Sequence, residues 1–118
     1  MANRSKRIGD AYERFIEKLC RDAGFPDSKR TRPGRREDEG DLYLTSDIVV
    51  QIKDVVSPKY REWMVQLADQ KRRAGARFAF IAMKRRGAGG RPPLHLAVMP
   101  LDRMLDLIKE LELLKETS

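Results

Sequence analysis

The chain has one cysteine, Cys20, and one histidine, His95, among its 118 residues. A lone thiol excludes an internal disulfide, and one Cys with one His cannot complete a tetrahedral zinc site. Any metal is therefore expected to be a hard, oxygen-ligated ion such as Mg²⁺ or Mn²⁺. No apolar run approaches membrane-spanning length, and the first residues lack the apolar core of a signal peptide. The expectation is a cytoplasmic protein with no membrane partner, whether encoded by a cell or by a phage. The length allows one hydrophobic core, hence a single domain over residues 1–118.

What is abundant is positive charge. There are 25 Lys and Arg against 18 Asp and Glu, a formal net charge of +7. Such a surplus favours polyanionic partners through counterion release and long-range steering. Nucleic acid is the first candidate and an anionic membrane surface the second. A basic protein that merely binds RNA would look the same at this level.

The apolar spacing predicts three helices. From Lys6 to Ala23, Ile8, Ala11, Tyr12, Phe15, Ile16, Leu19, Cys20 and Ala23 recur at helical intervals, and Gly24 and Pro26 stop the segment. Glu13 falls at the edge of that apolar stripe, where an acid can reach a half-buried cleft. A second helix is expected to open at Ser57-Pro58, with Ser as N-cap, and to close at Gly75. Its inner face would carry Tyr60, Trp63, Met64, Leu67 and Ala74. A third follows Pro100, from Leu101 to Lys115, with apolar residues over about half its circumference, wider than the ~100° stripe of a typical surface helix. Strands are expected at Asp41–Leu44, Ile48–Val55, Arg77–Met83 and Leu94–Met99. Ser28–Asp38 reads as an Arg-rich loop, and Lys84–Pro93 as a glycine-rich hairpin tip. The order α-β-β-α-β-β-α gives an α/β or α+β domain, a mixed β-sheet flanked by helices.

Chemistry concentrates in Gly40-Asp41-Leu42 and Val50-Gln51-Ile52-Lys53. Strand side chains alternate between faces, so Gln51 and Lys53 share one face. Across a short hairpin they would meet Asp41. A carboxylate, an amide oxygen, an ammonium group and the Ile52 carbonyl would then converge. Phosphodiester hydrolysis needs such a set: a metal to polarise the phosphate and activate water, and a cation beside the developing charge. Taken singly, Asp41 is a turn residue, Lys53 a solvated lysine and Glu13 a helix-surface acid. His95 reads as a surface or packing histidine, Cys20 as a small core residue, and Trp63 and Tyr60 as core.

With Glu13 on the first helix, then Gly40-Asp41, then Gln51-Ile52-Lys53, the chain resembles the PD-(D/E)xK nuclease superfamily. Within it, the chain is most similar to the archaeal-type and phage Holliday junction resolvases, from Arg4 to Pro100. The resemblance implies a restriction-endonuclease-like core and structure-selective cleavage of branched or duplex DNA with Mg²⁺ or Mn²⁺. It makes Glu13 and Asp41 the acidic members of the metal site and Lys53 the motif lysine. Gln51 stands where Glu or Asp is usual; its amide oxygen can coordinate Mg²⁺ but brings no charge. Gln66 resembles a glutamine that some members place beside the site.

Two basic clusters flank this stretch: Lys29, Arg30, Arg32, Arg35 and Arg36 before it, and Lys84, Arg85, Arg86 and Arg91 on the glycine-rich tip. Both suit phosphate contacts, and neither has a helix-in-groove signature of base-specific readout. A resolvase must cut two strands symmetrically, so a homodimer is expected, through Leu107, Leu111 and Leu114 of the final helix. Two rivals remain. One is a nuclease scaffold that binds nucleic acid without cutting it; the other is a nicking or repair endonuclease.

Overall fold

In the computed structural model, residues 4–31 and 40–117 are described, with the side chains of residues 4–7 excepted. The chain folds as an α/β protein with three helices around a five-stranded mixed sheet. Its elements are α1 (Arg4–Asp22), β1 (Lys29–Arg30), β2 (Leu42–Thr45), β3 (Ile48–Lys53), α2 (Tyr60–Ala74), β4 (Phe78–Arg85), β5 (Leu94–Val98) and α3 (Leu101–Thr117). Strands lie side by side in chain order, antiparallel except for the parallel pair β3–β4 that α2 connects.

The order is thus α-β-β-β-α-β-β-α, one strand more than expected. The added strand, β1, sits at the start of the segment read as a loop, with Lys29 opposite Tyr43 and Arg30 opposite Leu42. Just before it, Ser28 is buried. Of the loop residues, Arg32, Arg35 and Arg36 lie outside the described residues.

Alternation along β3 and β4 sorts the core into two layers. Val50, Ile52 and Ala82 pack with Leu42 against Tyr12 and Ile16 of α1. Val49, Ala79, Ile81 and Met83 pack against Trp63 and Leu67 of α2. The α2 layer therefore also receives Gln51 and Lys53.

Gly75 closes α2 in the left-handed conformation (φ 65°), its N–H donating to Arg72 O and that of Ala76 to Lys71 O. The start differs from expectation. The residue before the helix is Lys59, without a side-chain cap, and Ser57-Pro58 lies outside it. Tyr60, expected in the core, is half exposed and reaches Met83 Sδ with its hydroxyl.

The third helix is inverted relative to a normal surface helix. No residue of α3 is buried. Its charged stripe meets the body: Arg103 donates to Arg77 O and lies over the Phe78 ring, and Glu110 pairs with Arg77. Leu105 (51%), Ile108 (45%) and Leu111 (54%) stay exposed. Leu107 is half-buried and Leu114 exposed, so the broad apolar face does not serve to enlarge the core.

Candidate active site

Asp41 enters the sheet immediately before β2. Its backbone N–H donates to Val50 O at 3.0 Å, and its carboxylate Oδ2 accepts the Ile52 N–H at 2.8 Å. Gln51 is bracketed between these two bonds. The register pairs Leu42 with Val50, which carries Asp41 opposite Gln51. Gly40 makes the approach possible. Its φ is +94°, and a Cβ there would come within 3.4 Å of Val50 O and 3.8 Å of Gln70 Oε1.

The remaining polar groups lie along the α2 face of β3. Gln51 Oε1 is buried and has no hydrogen-bond partner among the described residues. Lys53 Nζ stands 5.4 Å from the centre of the Trp63 ring and makes no ion pair among them. The aromatic face holds the ammonium group beside the strand without neutralising it.

Glu13 is placed differently. It is half-buried on α1, and its carboxylate is engaged by the Arg30 guanidinium, which also approaches Asp10 at 3.7 Å. The cleft that Glu13 reaches thus belongs to the α1 side of the sheet, opposite the face of Gln51 and Lys53. Gln66 is exposed. The glutamine that α2 turns inward is Gln70, 2% exposed, one helical turn later. The spacing Trp63, Leu67, Gln70 carries that signal, since i, i+4 and i+7 share a helix face.

Among the described residues no three His, Cys, Asp or Glu side chains group as a metal site. A hard cation at Asp41 and Gln51 would find one carboxylate and one amide oxygen. Both are hard oxygen donors, and the orphaned Gln51 Oε1 is an acceptor awaiting a positive partner, so the donor set fits such an ion with only one negative charge.

The basic residues differ in their partners. Lys29, Arg85, Arg86 and Arg91 are exposed. Arg30 is held by Glu13, Arg86 pairs with Asp54 at 3.0 Å, and Lys84 lies 6.0 Å from the Tyr12 ring centre. His95 is exposed on β5 and lies against α1: its Nδ1 is 3.0 Å from the Tyr12 hydroxyl and its ring 4.7 Å from that of Phe15. Burial pushes the Cys20 thiol up from its usual pKa, which disfavours the reactive thiolate.

No family model, curated protein or solved structure matches the chain. Among the described residues, no helix is long and apolar enough to cross a membrane.

Proposed function

We propose that the protein is a Mg²⁺- or Mn²⁺-dependent, structure-selective endodeoxyribonuclease of the Holliday junction resolvase type on a restriction-endonuclease-like core. The observation that carries this reading is the bracket of Asp41 around Gln51, with the ammonium of Lys53, held over the Trp63 ring, on the same face of β3. Asp41 and Gln51, with the Ile52 carbonyl, would hold the ion, which when bound supplies Lewis acidity toward a phosphate oxygen. Lys53 would hydrogen-bond the attacking water and offset the charge gathering on the phosphoryl oxygens. Water adds its oxygen to phosphorus, one P–O ester bond breaks, and the departing oxygen takes the proton. One product ends in a phosphate monoester and the other in a hydroxyl.

Glu13 would take part only through water or after release from Arg30. The exposed Lys29, Arg85 and Arg91 suit sequence-independent contacts to phosphates. A second copy of the chain would cover the apolar side of α3, as two symmetric incisions require. The orphaned amide of Gln51 also fits a scaffold that binds DNA without cutting it. Incubating the protein with a four-way junction and with a linear duplex of the same sequence, in Mg²⁺ or Mn²⁺, separates these readings. Paired nicks in the junction support the resolvase, equal cutting of both a less selective nuclease, and binding without cleavage the inert scaffold.

A further inference from the structure

Across the sheet from Lys53 lies a cleft of about 400 Å³ between α1 and the β4–β5 hairpin. Its volume falls within the ~300–1,000 Å³ of small-ligand sites. Three rings form one side. Tyr12 and Phe15 stack at 5.9 Å and 13°, Tyr12 and His95 at 5.7 Å and 23°, and Phe15 tilts toward His95 at 4.7 Å. Phe15 is 46% exposed and His95 is also exposed, so aromatic surface is left uncovered at the opening.

Polar groups of both signs complete the lining. Lys84 lies over the Tyr12 ring, where an anion outside the cleft could reach its ammonium group. Asp54, with a side chain 4% exposed, is tied to Arg86 and retains lone pairs for a further donor. The Tyr12 ring, buried in the α1 layer, backs those of Phe15 and His95 from below.

We infer that this cleft binds one unpaired nucleobase, stacked on Phe15 and His95, with Asp54 as acceptor for an exocyclic amino group and Lys84 facing the attached phosphate. Base–aromatic stacking and a flanking cation are the means by which proteins hold unpaired nucleotides. The position supports this occupant. Lys53 and Asp54 are consecutive and point to opposite faces at the same end of β3. A strand crossing that end would offer a phosphodiester to Lys53 and a neighbouring base to the cleft. The inference rests on the nucleic-acid reading above for the polymer, but not on cleavage.

The test is fluorescence anisotropy in EDTA, where no hydrolysis occurs, with labelled oligo-dC and an abasic oligonucleotide of the same length. Wild-type protein should bind oligo-dC roughly 5- to 150-fold more tightly, the range that about 1–3 kcal/mol of stacking confers. Phe15→Ala and His95→Ala, both at exposed positions, should remove the difference while leaving abasic binding unchanged. Lys53→Ala should retain it. Equal affinity for the two oligonucleotides, or a preference that survives both substitutions, overturns the inference. A protein that cuts DNA without preferring bases overturns the cleft alone. One that prefers bases but never cuts upholds the cleft and overturns the nuclease.

Discussion

The carboxylate of Asp41 accepts the backbone N–H of Ile52 at 2.8 Å, so the proposed metal ligand is also part of the fastening between β2 and β3. The two roles come apart on substitution. Asp41→Asn keeps an oxygen acceptor for Ile52 and should leave urea stability nearly unchanged while abolishing cleavage. Asp41→Ala leaves that donor unsatisfied and should cost about 1–2 kcal/mol as well as activity. Equal stability loss in both variants would contradict the separation.

Gln51 supplies an oxygen without charge, and its Oε1 has no hydrogen-bond partner among the described residues. Gln51→Glu should therefore tighten Mn²⁺ binding, on the order of tenfold, or about 1.4 kcal/mol, by calorimetry. Unchanged or weaker binding would place the ion elsewhere.

The apolar side of α3 faces away from the body, with Ile108 and Leu111 exposed. Sedimentation should give a dimer for the wild type and a monomer for Ile108→Asp with Leu111→Asp, at undiminished helical signal. A monomeric wild type at micromolar concentration would contradict the second-copy reading.

Tyr12 sets a stability slope at high pH. Its phenol is raised from 10.0 to about 12, by burial first and by Asp54 second. Between about pH 10 and 12 the unfolded chain has lost this proton while the folded one keeps it, so this contribution to stability falls as pH rises and is constant below pH 10. Tyr12→Phe should flatten that part of the urea-midpoint profile; parallel profiles for the two proteins would refute the assignment.

Much of this architecture was legible because period and punctuation agree. The stripe through Tyr12 and Ile16 gave α1, alternation gave β3 with Gln51 and Lys53 on one face, and Gly75 marked the end of α2. β1 was not legible: two residues carry no period, and its pairing with Tyr43 and Leu42 is a tertiary fact. Local cap chemistry at Ser57-Pro58 placed the start of α2 too early: the helix begins at Tyr60, after Lys59, which makes no side-chain cap. Gln66 was singled out by the family resemblance, whereas the face shared by Trp63 and Leu67 turns Gln70 inward. Glu13 was rightly put at the edge of its helix stripe, yet spacing could not reveal that Arg30, brought back by β1, would meet its carboxylate.

Single-turnover cleavage of a four-way junction in Mg²⁺ or Mn²⁺, wild type against Lys53→Ala, tests the nuclease most directly. Paired nicks by the wild type, reduced at least about 100-fold in the variant with junction binding retained, are predicted, as for removal of a group that stabilises transition-state charge. Tight binding of the junction by the wild type with no cleavage in either metal would contradict it.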